Sequence, residues 1–340
     1  MAPLKHRPLG KDGPEVPRLG FGTMGLSTFY GPPKSDEERL AVLEKAHQIG
    51  ETFWDTAALY GDSEELLGKW FAANPEKRND IFLATKFGID FVDGKMEINS
   101  SRASCMESCE RSLKRLGLQC IDLFYAHRLN PQTPVEETVQ AMVELKQQGK
   151  IKYLGLSEVS SDTLRRACKL HHITAVQIEY SPFSLDIESD QVRLLETARE
   201  LGVAIVAYSP LSRGILSGQI LSPDDFAESD FRRYLPRYSK ENFPKNLELV
   251  NKLNQIASVR GCTTSQLTLA WLLAQGDDIF PIPGTTKIPT LVENFESLNV
   301  DLSPEEVKQI RDFIEETEVQ GSRYPEASAA TLFVDTVLPQ

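Results

Sequence analysis

Residues 121–157 read IDLFYAHRLNPQTPVEETVQAMVELKQQGKIKYLGLS, and this stretch decides the fold. It opens on a short apolar run, IDLFYAH (121–127), and closes on a second one, KYLGLS (152–157). Between them lies PVEETVQAMVELKQQGK (134–150), whose apolar residues recur three and four positions apart. The outer runs are typical of buried strands and the middle one of an amphipathic helix. This order indicates two parallel strands joined by a crossover helix.

The same alternation continues along the whole chain. The other strand-like runs are LGFGT (19–23), ETFWDTA (51–57), IFLATK (81–86), AVQIEYS (175–181), VAIVAYS (203–209) and IFPIPG (279–284). Helical patterns follow them at 36–50, 63–73, 104–117, 161–172, 191–202, 263–276 and 288–298. Eight such units predict an α/β fold, a (β/α)8 TIM barrel, formed by one domain over residues 1–340. An open doubly wound sheet is the alternative, and it is disfavoured because no GxGxxG follows the first strand.

Several segments are additional to the eight units. Asp12-Gly13 predicts a hairpin at 5–17, which could plug the N-terminal mouth of the barrel. Residues 210–245 form a long connection after the seventh strand, and long connections in compact domains are often functional. Further predictions are an extra helix at 246–261, a helix that starts at Ser303 with Glu306 three residues on, and an irregular tail from about 318.

Composition excludes several classes of protein. The net charge is −12, from 49 acidic and 37 basic residues, which disfavours nucleic acid or an anionic membrane as the main partner. Five scattered cysteines without CxxC spacing favour a reducing compartment over a disulfide framework or a metal site. The first residues lack an apolar signal segment, and no apolar run is long enough for a membrane span. We expect a cytoplasmic protein, and nothing in the sequence indicates its oligomeric state.

Four titratable residues fall where the predicted strands end. Asp55, Lys86 and His127 close the second, third and fourth strands, and Tyr60 lies in the loop after Asp55. Each has an ordinary structural explanation, such as a helix cap for Asp55 or a solvated surface lysine for Lys86. In a TIM barrel, however, the C-terminal strand ends line one mouth, and separate strand ends have no structural need for four such groups. The set therefore indicates an active site.

This combination suits protonation of a carbonyl oxygen. A free tyrosine has a pKa of about 10 and is a poor acid at neutral pH, but a nearby ammonium group lowers that pKa. We expect Lys86 to act on Tyr60 in this way, and Asp55 to keep Lys86 charged despite burial. His127 can bond the substrate oxygen and orient it. A hydride donor is still required, and side chains cannot supply one, so a cofactor is implied.

With these residues in place, the chain resembles the aldo-keto reductase family from about Leu19 to Asn299. The motifs that carry the resemblance are LGFGTMG, DTAALYGDSEELLG, LATK, YAHR, YLGLSEVS, AVQIEYSP, AYSPLSRGILSG, IPGTT and VEN. The resemblance implies a TIM barrel that uses a nicotinamide cofactor, NADPH/NADP+, with Asp55, Tyr60, Lys86 and His127 as the catalytic residues. SEVS, RRYLPR and the long loop resemble the branch that contains pyridoxal reductases and auxin-induced-type reductases.

The resemblance also implies a set of cofactor contacts. These are Gly22, Thr23, Met24, Asp55, Ser157, Gln177, Tyr208, Ser209, Pro210, Leu211, Arg213, Gly214, Pro283, Gly284, Thr285, Thr286, Lys287, Glu293 and Asn294. Two positions depart from the family pattern. Glu158 stands where many members have an asparagine that bonds the carboxamide. Thr290 replaces a basic residue before VEN, so Lys287 is the cation left to read the 2′-phosphate of NADPH.

The substrate is less well specified by the sequence. The predicted pocket loops contribute Tyr30, Phe87 and Arg128, together with Phe91, Leu129 and the tail beyond 318. Aromatic side chains there suit an aromatic carbonyl compound such as a pyridoxal-like aldehyde, and Arg128 suits a polar or anionic substituent.

Two other functions are compatible with parts of the pattern. Some relatives of this family serve as cofactor-binding regulatory subunits of potassium channels, and they keep the four catalytic residues. A phosphate-binding TIM-barrel isomerase is the other alternative, but it needs a catalytic glutamate and a glycine-rich loop after the seventh strand. Turnover of carbonyl compounds separates the first alternative from an enzyme, and tight NADPH binding argues against the second.

Overall fold

The computed structural model describes residues 6–92 and 95–339, and its centre is a barrel of eight parallel strands. Consecutive strands pair in chain order. The barrel closes where the N–H groups of Gly20 and Gly22 donate to the carbonyls of Pro281 (2.9 Å) and Pro283 (3.1 Å). The predicted (β/α)8 fold is confirmed. Its strands are Phe21–Gly22, Phe53–Asp55, Phe82–Phe87, Ile121–Ala126, Ile151–Ser157, Ala175–Glu179, Ala204–Tyr208 and Ile279–Pro281.

The helices follow the predicted periodicity with shifts of a few residues at their ends. The outer helices are Asp36–Ile49, Ser63–Ala73, Arg102–Leu116, Val135–Gln147, Ser161–Leu170, Leu194–Leu201, Thr264–Leu273 and Ile288–Glu296, and the additional ones are Phe243–Arg260 and Pro304–Glu316. Ser303 caps the last of these, because its side chain accepts from the N–H of Glu306 and the glutamate bonds back. No helix within 6–92 or 95–339 is long and apolar enough to cross a membrane.

The N-terminal hairpin closes the bottom of the barrel, as predicted. Its strands are His6–Pro8 and Glu15–Pro17, and Lys5 lies outside the described residues. Leu9 and Val16 are fully buried and pack in the same cluster as the side chains of the barrel interior. The N–H of Lys11 donates to the carbonyl of Gly202 (2.6 Å), just before the seventh strand. Burial of these apolar residues is favourable, so the plug also stabilises the fold.

The barrel strands alternate between two environments. Side chains such as Phe53, Ala84 and Leu123 point into the barrel, whereas their neighbours Trp54 and Leu83 pack under the outer helices. This alternation is the two-residue period of a β-strand. It decides which residues of each strand can reach the upper mouth.

Two features were not predicted. An antiparallel hairpin, Ile89–Val92 and Lys95–Ile98, is inserted after the third strand. The tail, predicted to be irregular, contains a short helix, Glu326–Ala329, and then pairs Val334 with Val159 beside the fifth strand.

The long connection after the seventh strand consists of short 3-10 turns at Ser212–Ser217, Pro223–Asp225, Phe231–Tyr234 and Pro236–Tyr238.

Candidate active site

A cavity of about 670 Å³ opens at the C-terminal ends of the strands. Its volume lies in the range of small-molecule and cofactor sites. Its wall combines apolar and aromatic side chains, such as Phe29, Tyr30, Leu59 and Phe231, with many polar ones. The barrel loops, the inserted hairpin, the long connection and the tail all contribute to its wall.

The strand period brings the four predicted catalytic residues together. Asp55 and Lys86 lie two residues after the inward-pointing Phe53 and Ala84 on their strands, so they also face inward. His127 follows Leu123 and Tyr125 in the same way. Tyr60 comes from the turn after the second strand and lies in the cavity wall with Asp55 and His127. Lys86 is fully buried and is not part of the cavity surface.

Lys86 connects Asp55 to Tyr60. Its Nζ donates to Oδ1 of Asp55 (2.5 Å) and to the backbone carbonyl of Thr56 (2.7 Å), and it lies 3.5 Å from Oη of Tyr60. The second carboxylate oxygen of Asp55 accepts from Nε2 of Gln177 (2.7 Å). The carboxylate is thereby fully engaged in the site rather than capping a helix. All of these groups are buried, so their mutual interactions are only weakly screened by solvent.

Burial and charge set the protonation of these groups. Burial raises the pKa of Asp55 and the charge of Lys86 opposes that rise. Burial lowers the pKa of Lys86, but Asp55 and Tyr60 outweigh it and the pKa is raised overall. Burial also holds the pKa of His127 well below its usual range, and the charges of Lys86 and Arg128 add to this effect. Lys86 is therefore charged and His127 neutral.

Tyr60 differs from the prediction in its net shift. The charge of Lys86 lowers the pKa of Tyr60, as predicted, but burial has the larger effect and the pKa is raised overall. The predicted lowering included the ammonium group but not the desolvation of a phenol enclosed by the barrel, which acts in the opposite direction. The phenol therefore keeps its proton near neutral pH, which is the state that a proton donor needs before the reaction.

This arrangement can deliver a proton to an oxygen in the cavity. Tyr60 holds the proton, and the ammonium of Lys86 can stabilise the phenolate that remains after transfer. The neutral ring of His127 lies edge-on to Tyr60, with 5.7 Å between ring centroids, and can bond the same oxygen. A carbonyl oxygen that gains negative charge is the natural acceptor for such a pair. No group of three or more His, Cys, Asp or Glu side chains is placed to hold a metal ion in residues 6–92 and 95–339.

Most of the predicted cofactor residues do line the cavity. They are Gly22, Met24, Asp55, Ser157, Gln177, Tyr208, Ser209, Pro210, Leu211, Arg213, Gly214, Pro283, Gly284, Thr285, Thr286, Lys287 and Asn294. Thr23 and Glu293 do not. Thr23 is fully buried and bonds the carbonyl of Asp55 (3.0 Å), and Glu293 accepts from the hydroxyl of Thr263 (2.7 Å). Thr290 and Asn294, one helical turn apart, face the cavity instead.

Two buried polar atoms without a hydrogen bond belong to residues of this wall. Oδ1 of Asn294 has no hydrogen-bond partner although the residue is only 2 % exposed. Nη2 of Arg213 also lacks a hydrogen bond, although it lies 3.5 Å from a carboxylate oxygen of Glu179. Buried polar groups are normally satisfied, so an amide oxygen and a guanidinium nitrogen left open on one cavity suit a polar, anionic ligand.

The backbone around Arg213 is shaped for close contact. Ser209, Ser212 and Arg213 have φ values of 49°, 44° and 52°, in a region that non-glycine residues rarely adopt. Such strain is found mainly where function requires it. It occurs here directly after the seventh strand, where barrel enzymes often bind phosphate.

Lys287 stands at the start of the helix Ile288–Glu296 and is exposed at the cavity wall. Its backbone N–H donates to Oγ1 of Thr285 (3.1 Å), and no ion pair engages its side chain among the described residues. An unpaired ammonium beside a helix N-terminus is well suited to a phosphate.

The three predicted substrate residues have different positions. Tyr30 and Arg128 line the cavity. Phe87 does not, and this prediction is wrong, because the strand period turns Phe87 outward, where it stacks on Phe124 with ring centroids 4.9 Å apart. Arg128 is 8 % exposed and donates to the carbonyl of His127 (2.7 Å) and to Oγ of Ser157 (3.3 Å).

Several cavity residues were missed by the sequence analysis. They are Phe29, Leu59, Ile89, Met96, Ser217, Gln219, Ile220, Phe231, Arg232, Ser265 and Ile282. The tail beyond 318 lines the cavity through Tyr324, Ser328 and Thr331, as predicted. Most of the missed residues lie on loops, whose side chains have no period to follow. A signal existed for the inserted hairpin, since Asp93-Gly94 between two apolar runs is typical of a hairpin turn.

Comparison with known proteins identifies the class. Residues 18–315 match the model of the Aldo/keto reductase family. The chain is 52 % identical to aldo-keto reductase str7 of Strobilurus tenacellus, covering 99 % of this chain and 100 % of that protein. It is 48 % identical to aldo-keto reductase yakc [NADP(+)] of Schizosaccharomyces pombe, covering 98 % of each. The chain therefore belongs to the aldo/keto reductase family and is an oxidoreductase that acts on carbonyl groups.

Solved structures agree with this assignment. The glycerol dehydrogenase AKR11B4 from Gluconobacter oxydans superposes with a TM-score of 0.83 at 27 % identity, over 95 % of this chain and 98 % of that one. The thermostable aldo-keto reductase Tm1743, solved with the inhibitor epalrestat, gives 0.71 at 32 % identity, over 91 % and 99 %.

Proposed function

We propose that this protein reduces an aldehyde or ketone to an alcohol with NADPH, and that Tyr60 donates the proton. The observation that carries the proposal is the buried chain from Asp55 through Lys86 to Tyr60, which ends on the cavity wall. A phenol held beside a buried ammonium group has its clearest use as a proton donor to an oxygen. The reduced nicotinamide supplies the hydride when it is bound.

The polar residues of the cavity wall hold the cofactor. Ser157, Gln177 and Tyr208 line the cavity together with the catalytic residues. The hydroxyl and the amide suit the carboxamide of the nicotinamide, and the ring of Tyr208 suits stacking on it. Arg213 serves the pyrophosphate, and Lys287 and Asn294 serve the adenosine end. The NADP(+) in the name of the fission yeast relative supports the choice of NADPH over NADH.

Cofactor binding tests this proposal without any substrate. Fluorescence titration of the wild-type chain should give a lower Kd for NADPH than for NADH. A panel of aliphatic and aromatic aldehydes should then be reduced by the NADPH complex. A chain that binds neither dinucleotide contradicts the proposal.

Lys287→Ala should weaken NADPH binding about tenfold and leave NADH binding almost unchanged, because only NADPH carries the 2′-phosphate. A tenfold change in Kd is the usual effect of losing one hydrogen bond to a charged group. The loss should shrink at high salt, since the contact is exposed. Lys245→Ala, at an exposed lysine away from the cavity, is the control. Equal weakening of both cofactors would mean that Lys287 supports the loop rather than reading the phosphate.

The apolar residues of the cavity wall indicate the substrate class. Phe29 and Tyr30 come from the loop after the first strand, and Phe91 and Met96 are cross-strand partners in the inserted hairpin. Phe91 is 62 % exposed at the cavity. These surfaces suit an aromatic aldehyde, pyridoxal-like in size, and Arg128 suits a polar or anionic substituent on it.

Phe91→Ala should raise KM for aromatic aldehydes roughly threefold to tenfold, because a ring–ring contact is lost. KM for a short aliphatic aldehyde should not change. Steady-state kinetics on both substrates provides the measurement. Val259→Ala, at a 93 % exposed apolar residue away from the cavity, serves as the matched control. A uniform rise in KM for all aldehydes would argue against an aromatic preference.

One alternative and two predictions stand beside this proposal. A role as a channel subunit without catalysis requires that carbonyl turnover be absent, so the substrate panel decides it. The cytoplasmic location and the single domain over 1–340 rest on the sequence alone.

A further inference from the structure

A buried ion pair joins the C-terminal tail to the top of the barrel. Glu158, directly after the fifth strand, is fully buried, and Arg323 is 6 % exposed. Nη1 of Arg323 lies 3.2 Å from Oε1 of Glu158, and Nη2 lies 3.2 Å from Oε2. Two parallel bonds of this kind give a defined geometry as well as attraction. Neither residue lines the cavity.

Both carboxylate oxygens of Glu158 are engaged by other side chains of the protein. Besides Arg323, its Oε1 accepts from the hydroxyl of Tyr208 (2.6 Å). A carboxylate has no proton to donate and its oxygens are engaged here, so Glu158 is not free to bond a carboxamide. Its φ of 51° is rare for a glutamate, and the surrounding bonds must hold it. The departure from asparagine at this position therefore has a structural consequence of its own.

Glu158 holds both ends of one loop of the tail. At one end its side chain binds Arg323, and at the other its backbone carbonyl accepts from the N–H of Val334 (2.9 Å). The intervening residues place Tyr324, Ser328 and Thr331 in the cavity wall. The loop 323–334 is thus fastened at its two ends to a single residue.

The loop also meets residues of the cofactor side. Oη of Tyr324 lies 3.2 Å from Oη of Tyr208, so Glu158 orients both rings, one directly and one through Tyr208. The guanidinium of Arg213 lies over the ring of Tyr324, 4.9 Å from its centroid. Displacement of the loop would disturb Tyr208 and Arg213 together.

We propose that Glu158 and Arg323 are positioning residues. Their ion pair holds the loop 323–334 over the cavity and thereby fixes Tyr208 and Arg213 for cofactor binding. This inference rests on the proposed function. It assigns the pair no contact with the reacting atoms. Loss of the Glu158–Arg323 ion pair should therefore raise Kd for NADPH and KM for the carbonyl substrate, while kcat at saturation changes little.

The surrounding charges predict an order among variants. Arg323 also has Glu179 at 3.9 Å and Asp186 at 4.0 Å, so Glu158→Gln leaves it with other partners, and glutamine can still accept from Tyr208. Arg323→Gln instead leaves a fully buried carboxylate without its guanidinium, which is the more costly loss. We expect about a tenfold rise in Kd for Arg323→Gln and about threefold for Glu158→Gln.

The double variant Glu158→Gln/Arg323→Gln provides the decisive comparison. It should resemble Glu158→Gln rather than the sum of the single changes, because the uncompensated charge is gone. Arg323→Lys should be intermediate, since lysine keeps the charge but cannot make two parallel bonds. Arg323→Lys also provides the test if Arg323→Gln does not fold. Arg311→Gln, which breaks a similar pair with Glu188 away from the cavity, is the matched control.

Hydrogen exchange tests whether the ion pair holds the loop 323–334 in place, and it does so without an activity measurement. Amides of 323–334 should exchange faster in Arg323→Gln than in the wild type, and Arg311→Gln should not show this effect. Unchanged exchange and unchanged Kd in Arg323→Gln and Arg323→Lys overturn the inference, as do additive single effects. The same titration also includes the wild-type chain. If the wild type binds no NADPH, the proposed function is overturned instead.

Discussion

Tyr60→Phe should lower kcat for carbonyl reduction by about 10²–10⁴-fold, the usual contribution of a positioned general acid. The change removes one hydroxyl and keeps the ring that packs against Phe29 and His127. NADPH binding should remain nearly unchanged, because the phenolic oxygen serves the substrate rather than the cofactor. Steady-state kinetics with saturating NADPH and a direct titration of the cofactor measure the two quantities separately.

The control for this prediction is Tyr234→Phe, which deletes the same hydroxyl from a 67 % exposed tyrosine that is not part of the cavity. It should retain wild-type kcat. If Tyr60→Phe also retains most of the activity, another group donates the proton. His127 is then a poor replacement, because its low pKa leaves it neutral.

Lys86→Met should lower kcat by at least about 10²-fold and change the pH profile. The ammonium group lowers the pKa of Tyr60, so its loss raises that pKa further. Reduction needs a protonated Tyr60 and declines as pH rises through this pKa, so the decline should move to higher pH. The remaining activity should be low at every pH because the phenolate is no longer stabilised. Measurement of kcat across pH gives both results.

Asp55→Asn tests whether the carboxylate and the ammonium group act as a unit. Without Asp55, burial lowers the pKa of Lys86, and the lysine loses its charge as pH rises. The double variant with Lys86→Met should then be little worse than Lys86→Met alone. Additive losses would show that Asp55 has a separate role. Lys69→Met, at a surface lysine paired with Asp36, is the control and should behave as the wild type.

The barrel and its catalytic residues could be predicted because both follow simple periods. Helical and strand periodicity gave the eight units, and the ends of parallel strands share one mouth. The same strand period, applied residue by residue, would also have excluded Phe87, which is one position after the inward-facing Lys86. The prediction had assigned Phe87 to a pocket loop, whereas Phe87 is the last residue of the strand Phe82–Phe87.

The rest depended on contacts between distant parts of the chain. Glu158 and Arg323 are 165 residues apart, and no local pattern links them. The net pKa of Tyr60 depends on how completely the barrel and its loops exclude water, which composition does not reveal. Residues of the long connection such as Gln219 and Phe231 reach the cavity only through the path of the folded chain.

The most direct test of the proposed reaction is to follow the hydride itself. Wild-type protein should be incubated with an aromatic aldehyde and NADPH that carries deuterium at the transferable position of C4. We expect that NADPH is consumed and that the product alcohol contains one deuterium on its carbinol carbon, with the hydroxyl proton derived from solvent through Tyr60. Absence of the alcohol, or an alcohol without deuterium, would contradict the account.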